Sequence, residues 1–467
     1  MENPSNHTMP QPHIAEAAKS HRRVVLKAGL TGAAALAVGL RSPAVLGQAK
    51  RFTGVTINGS AFQHTFHIAL KKWLPELEDS TGLKVNFDLQ SWPIYNQRMD
   101  LELATHGSAY DFCNIGTPFA GRWITSGWMT PLDTFVSNPN LTAPNFDAPD
   151  FATGSQAILS NAAGTPYGFA WVSGAILMGL ARADILEKAK LPIPKTVEQL
   201  VETCKRTNKP GSTYAFVDDA LHHWEWPPYL MAMGGTIFRN PPTDLTPMLN
   251  TPAAVKAAQL YSELLSKYAP PGVLSFTDDQ CMRYQFAGQA NIRTCSIEWL
   301  VPIARSPESK TRETMRFAPM VGGPAGSFPA VNANGFGIPA GAKNKEAAWT
   351  FIQWALSKAM FTRQVQQNSY VTVPRRSVVR SAEYRKVMTI NGQDVGKLYL
   401  DTVDAKGVGN YMKYRNMPVF PQVGEEINKA IEKIVSGQTN AKAAMDAAQQ
   451  AAVADILKAG VKLPGKA

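Results

Sequence analysis

Downstream of residue 50 the apolar positions switch repeatedly between the two-residue period of a strand and the 3.6-residue period of a helix. Val55-Thr56-Ile57 reads as a short strand. Phe66, Ala69, Leu70, Trp73, Leu74 and Leu77 then fall on one helical face, and Gly82 stops that helix. Val85, Phe87 and Leu89 alternate as a half-buried strand. Tyr95, Met99 and Leu103 mark a second helix, which Gly107 ends, and Phe112 to Ile115 is a third strand. Strand–helix–strand–helix–strand predicts an α/β fold with a parallel, doubly wound sheet. Ligands of such sheets sit beyond the carboxyl ends of the strands, which points to the loops 58–64 and 116–119.

A second α/β pattern opens after Pro166-Tyr167-Gly168. It contains a helix from Pro252 to Ser266 and another from Ala347 to Ser357. Val423, Ile427, Ala430, Ile431 and Ile434 form a helical stripe, and an Ala-rich helix runs to Gly460. Trp73, Trp349 and Trp354 lie on apolar helix faces and are expected in the core.

The first 49 residues follow a different rule. A polar stretch leads to Arg22-Arg23-Val24-Val25-Leu26-Lys27, then an uncharged Ala/Gly/Leu segment from Ala28 to Leu40, then Arg41 and small residues. That segment is too short for a bilayer, which takes about 20 helical residues. Basic, apolar and small-residue zones in this order read as an export leader, and the paired arginines resemble the twin-arginine pattern. Cleavage after Gly47 or Ala49 fits. No cysteine lies there for a lipid anchor, so the product is expected to be soluble and periplasmic.

The 467 residues suit two lobes better than one core. Net charge is +11, and residues 1–47 contribute five basic and two acidic side chains to it. The remaining basic residues are scattered, with Lys71-Lys72 and Arg375-Arg376 among the longest runs, which argues against a nucleic-acid partner and for a solvated basic surface. Cys113, Cys204, Cys281 and Cys295 form no C-x-x-C pair. Export permits a Cys281–Cys295 bridge, but buried free thiols are the expected state.

Several ordered segments carry a specific resemblance. DFCNIGTPFAGRWITSGWMTPLDTF (111–135), YGFAWVSGAILMGLARADILEKAKL (167–191), LPIPKTVEQL (191–200) and LNTPAAVKAAQLYSEL (249–264) are similar to segments of the family 1 extracellular solute-binding proteins. So are FAGQANIRTCSIEW (286–299), GFGIPAGAKNKEAAW (335–349) and Pro374-Arg375-Arg376-Ser377. Ala170 departs from the family's proline, and Glu298 replaces its small residue before Trp299. The resemblance covers residues 52–460. It implies a two-lobed periplasmic-binding-protein fold with three interlobe crossings, near 169–174, 328–334 and 416–421, and a ligand cleft between the lobes. Lobe one is then 50–169 plus 334–415, and lobe two 174–328 plus 420–467.

The family implies a soluble monomer that captures a small solute, here a sugar or polyol, and hands it to the membrane permease of an ABC importer. The twin-arginine export machinery is the other partner, and neither cofactor nor metal is expected. A sugar presents apolar C–H faces and a rim of hydroxyls, so its site needs flat aromatic faces and oriented polar groups. Candidates after the first strand are Asn58, Ser60 and Gln63, with Thr117 after the third and Trp92 before Pro93. Trp171 and Ser173 stand at the first crossing, and Asn332 and Asn334 at the second. His222, His223 and Trp224 belong to a polar–aromatic cluster, and Trp299 follows Glu298 where the family places a ring-stacking Trp. Trp224 and Trp226 alternate, so at most one faces the cleft.

Two alternatives stand beside this reading. One is a non-sugar solute such as a polyamine, for which Glu225 and Glu298 are the obvious carboxylates, or a phosphorylated compound. The other is an exported carbohydrate-active enzyme, using paired acids such as Asp218-Asp219 or Asp278-Asp279. Those pairs read better as loop or helix-cap residues, and the sequence holds no G-x-S-x-G, H-E-x-x-H or P-loop.

Overall fold

The computed structural model describes residues 50–117, 119–405 and 412–465, so the expected leader at 1–49 lies outside the described residues. The strands are β1 (Thr56–Phe62), β2 (Lys84–Gln90), β3 (Phe112–Gly116), β4 (Gly168–Leu180) and β5 (Tyr214–Phe216), then the hairpin β6 (Phe238–Asn240) and β7 (Asp244–Pro247). They continue with β8 (Ala290–Ser296), β9 (Arg316–Ala318) and β10 (Val331–Gly337). The main sheet runs β2-β1-β3-β10-β4-β8-β5, with β9 on β4.

The parallel expectation holds for β1, β2 and β3. It fails further along, where β10 pairs antiparallel with β3 and β4, and β4 antiparallel with β8 and β9. Strand β10 arrives from far along the chain and inserts between β3 and β4, so no local βα unit sets its direction. Strand β4 is the common spine. Residues 168–170 and 172–175 pair with β10, and residues 176–180 pair with β8. All 13 of its residues are buried, which explains why its sequence reads as one apolar run rather than an alternation.

Strand β1 does not stop at Ile57. It pairs with β2 from Thr56–Lys84 to Phe62–Gln90, so Asn58 and Ser60 lie inside a strand rather than in a loop. Small residues at 59–61 conceal it, because the Phe112 ring fills the space that a side chain at Gly59 would need. Helix α1 (Thr65–Thr81) follows, capped by His64 and closed by Gly82 at φ 78°. Helix α2 (Trp92–Ala104) ends at Thr105, two residues short of Gly107.

Trp73, Trp349 and Trp354 are buried as their helical spacing predicts. The four cysteines are buried free thiols. The C-terminal stripe lies on the helix Phe420–Val435, which packs against the helix Ala441–Lys458. The basic pair 375–376 is not a solvated patch. The buried Arg375 donates to the carbonyls of Leu356 and Phe146 at 2.6 Å, and Arg376 grips Asp404.

Two buried ionisable groups make stability depend on pH. Arg293 on β8 has no exposed surface and binds Asp219 at 3.0 Å and Asp278 at 2.5 Å, with Asp218 3.5 Å from its Nε. Burial and the neighbouring Asp278 push the Asp219 carboxyl up to about 6, against the pull of Arg293. His67 on α1 is also fully buried. Its Nδ1–H donates to the Phe62 carbonyl at 2.7 Å, while its Nε2 has no partner. Burial among Phe62, Phe87, Trp171 and Phe336 pushes the imidazole down to about 3.

Arg293→Met removes the cation that sits among three carboxylates that are wholly or partly buried. Destabilisation of roughly 3–5 kcal/mol at pH 7 is expected in denaturant titrations. The deficit should shrink as the pH falls towards 4, because the orphaned carboxylates can then take up protons in the folded state. A deficit that is the same at both pH values would contradict this ion cluster. For His67 the sign is opposite. The unfolded ring gains a proton below about 6.5 and the folded ring refuses it down to about 3, so stability is lost as the pH falls between those values. Relative to His67→Phe, the natural protein should lose roughly 3 kcal/mol between pH 7 and pH 4, and parallel stability curves would rule out a neutral buried ring.

Candidate ligand-binding site

The carboxyl end of β1, the start of α2, the middle of β4 and β10, and the first turns of the helices Asp278–Phe286 and Ile297–Arg305 converge on one cleft of about 620 Å³. Its walls include Phe62, His64, Trp92, Trp171, Asp278, Glu298, Trp299, Asn332 and Asn334. A recess of about 110 Å³ continues past Glu298, Trp299 and Asn332 to Asp219, Trp224 and Glu225. A side chamber of about 220 Å³, lined among others by Tyr370 and Thr372, shares His64 and Glu298 with the main cleft.

Aromatic rings give the cleft its shape. Trp92 is 38% exposed and meets Phe62 edge to face at 4.6 Å, so its indole is available to a visitor. Trp299 is half-buried on the opposite wall. Trp171 occupies a β-bulge: the β4–β10 register pairs Asn334 with Val172 and Gly335 with Ala170, leaving Trp171 as the extra residue. Bulges of this kind re-aim a side chain. The Trp171 ring is only 1% exposed and stacks on Phe66 at 5.3 Å, so it forms the floor rather than a free platform.

The polar groups are held from behind. Trp171 Nε1–H donates to Asn114 Oδ1 at 2.9 Å, and Asn114 Nδ2 donates to Asn334 Oδ1 at 3.3 Å. This chain uses the amide oxygen of Asn334 and leaves its NH₂ for the cleft. Asn332 Oδ1 is buried without a partner. Both asparagines lie across neighbouring glycines: a Cβ at Gly116 would overlap Asn334 Oδ1, and one at Gly174 would overlap Asn332 Oδ1.

Carboxylates dominate the charge. Asp219, Glu225, Asp278 and Glu298 line the recess. Burial pushes Glu298 up, and nearby Asn332 and Ser296 draw it back down. Burial and the neighbouring Asp218 and Asp219 push Glu225 well up, and its Oε2 has no partner. Among the described residues, Asp218, Asp219 and Glu225 are the one group of three potential metal ligands, with ligand oxygens within 4.8 Å of one another. Arg293 already sits against both aspartates and supplies the positive charge that a cation would bring.

The structure thus brings Trp92, Trp171, Trp224, Glu298, Trp299, Asn332 and Asn334 to the cleft and its recess. It keeps the other sequence candidates away. Asn58 is exposed and accepts from Asn86 at 3.0 Å. Ser60, Thr117 and Ser173 are buried within the sheet region, and Gln63 is exposed outside the cleft lining. His222 is buried beside Tyr261, and His223 is held by Asn428 through its backbone N–H at 2.8 Å. Both rings are pushed down to about 4, chiefly by burial. Of the alternating tryptophans, Trp226 is core and Trp224 faces the recess, under the Arg415 guanidinium at 3.8 Å.

Sequence reasoning missed Phe62, His64, Asp219 and Asp278. The acidic pairs were expected as loop or helix-cap residues. Asp278 does open a helix behind the Thr277–Gln280 capping box, but its carboxylate turns inward to Arg293. The signal was a buried arginine on a strand, Arg293, which demands acidic company.

The sequence profile of the bacterial extracellular solute-binding proteins matches residues 65–360. An erythritol/L-threitol-binding protein of Mycolicibacterium smegmatis is 21% identical, covering 90% of this chain and 93% of the relative. A mannitol-binding protein of Pseudomonas aeruginosa is 23% identical, covering 79% and 85%. A solute-binding protein of Agrobacterium radiobacter K84, solved in complex with ribitol, superposes with a TM-score of 0.72 at 23% identity, covering 86% of this chain and 99% of that one. The two-lobed fold and the long profile match agree, and the chain belongs to the bacterial extracellular solute-binding protein family.

Proposed function

We propose that this chain is the periplasmic substrate-binding component of an ABC importer for a polyol or small neutral carbohydrate. In this reading residues 1–49 are a twin-arginine leader, and the mature protein works as a soluble monomer. Among the described residues no helix is long and apolar enough to cross a membrane, in keeping with a soluble product. The lobes comprise 50–169 plus 334–415, and 174–328 plus 420–467. They close on the ligand and present it to a permease, and closure is favoured because the ligand touches both lobes at once.

The observation that carries the reading is the lining of the cleft. Indoles of Trp92 and Trp299 offer flat surfaces to C–H groups over the floor formed by Trp171, and Asp278, Glu298, Asn332 and Asn334 ring them with acceptors and amide donors for hydroxyls. Relatives named for erythritol, L-threitol and mannitol support the same solute class. The acidic recess disfavours the phosphorylated alternative, because carboxylates repel an anion. It gives the amine alternative one specific support: Glu225 Oε2 is buried and unpartnered, as an ammonium acceptor would be. Binding is favoured over catalysis because Asp219 and Asp278 are both tied to Arg293 rather than free as an acid–base pair.

Thermal-shift and calorimetric titrations with erythritol, ribitol, D-mannitol, maltose and spermidine test this directly. A ligand at 100-fold above its Kd stabilises by about 2.7 kcal/mol, so a polyol or sugar should raise the melting midpoint measurably. Stabilisation by spermidine alone would sink the carbohydrate reading. Trp299→Ala should weaken polyol binding by at least about tenfold with little change in melting midpoint, because its half-buried ring contributes more to the cleft than to the core. Unchanged affinity would remove Trp299 from the site.

A further inference from the structure

His64 lines both the main cleft and the side chamber, a position it shares with Glu298. It is also the N-cap of α1: the Phe66 backbone N–H donates to His64 Nδ1 at 3.1 Å. A backbone N–H can only donate, so Nδ1 must present its lone pair and the ring proton of the neutral imidazole resides on Nε2. The helix end therefore fixes the tautomer. Trp171, 4.7 Å from the His64 ring centroid, holds the imidazole from one side.

This matters because of what surrounds it. The charged groups of the main cleft, Asp278 and Glu298, are acceptors, and Asn332 Oδ1 adds another. A hydroxyl both donates and accepts. Beside His64, Glu298 can accept a hydrogen bond from a ligand hydroxyl, while a donor is needed for that hydroxyl's oxygen. We propose that His64 is a specificity-determining ligand contact, donating its Nε2–H to the oxygen of a polyol hydroxyl whose own O–H donates a hydrogen bond to Glu298. The inference rests on the polyol reading above. Burial favours the neutral ring, holding the imidazole down to about 4, so the donor is of one kind throughout the neutral range. His67 lies behind, its ring centroid 6.0 Å away, and is neutral for the same reason.

Two substitutions separate the two ends of the ring. His64→Asn places its amide oxygen near the Nδ1 position, keeps an excellent helix cap and removes the donor. His64→Gln reaches the Nε2 position with an amide N–H and gives up the cap. Calorimetry with D-mannitol and ribitol, paired with thermal melts, reads both. H64N is expected to keep its melting midpoint and lose about tenfold in affinity, while H64Q melts lower and stays within about threefold of the natural protein. Affinity that follows the cap, retained in H64N and lost in H64Q, overturns the proposal, as does affinity unchanged in both. Imidazole ¹⁵N spectra of the natural protein at pH 7 should show the Nε2–H tautomer, and the Nδ1–H tautomer would overturn the proposal without reference to any ligand. A natural protein that binds neither polyol would instead defeat the functional reading and this inference with it, an outcome distinct from binding that is insensitive to His64.

Discussion

The main-chain ladder between β4 and its two successive partners is the constraint on which the site depends. Every residue of β4 is buried, so each of its amide groups must find a partner in protein. Residues 168–170 and 172–175 pair with β10 and residues 176–180 with β8 and β9, while the Ser173 N–H turns to the Thr372 carbonyl at 3.0 Å. The ladder thereby fixes Trp171, Asn332 and Asn334 relative to one another, and β8 leads directly into the turn that carries Glu298 and Trp299. The single break in register falls at Trp171, where the site needs a ring to form its floor.

Charge is distributed against the protein's overall sign. The chain is basic by 11 charges, yet its cleft and recess are lined by carboxylates. Arg293 makes that arrangement tolerable by anchoring Asp219 and Asp278 from beneath, so that acidic oxygens face inward without mutual repulsion deciding their positions. Buried pairing of this sort contributes little net stability but strongly penalises loss of one partner. What it provides is a set of oriented acceptors, suited to hydroxyl protons.

Periodicity alone revealed the first three strands, the helices between them and the C-terminal stripe, because each buries one face in a regular way. The extent of β1 was hidden by the small residues Gly59, Ser60 and Ala61, and at Gly59 the small size reflects the Phe112 ring packed against it rather than a loop. The antiparallel insertion of β10 was not readable from local pattern, since its partners are more than 150 residues away in sequence. At the site, tryptophans beside polar residues were informative: Trp92, Trp171, Trp224 and Trp299 all reach the cleft or its recess. Histidine was misleading in the other direction. His222 and His223 were expected at the ligand but pack inward, whereas His64, not singled out although it ends the segment 58–64 that the sheet pattern pointed to, lines the cleft.

The central claim is that this cleft seats a polyol or small sugar between its tryptophans and carboxylates. A crystal structure of the protein grown with saturating D-mannitol or ribitol tests it most directly. The account predicts ligand density against Trp299, with hydroxyls within hydrogen-bonding distance of Glu298, Asp278 and Asn332. A ligand bound elsewhere on the molecule, with the cleft filled only by water, would contradict it.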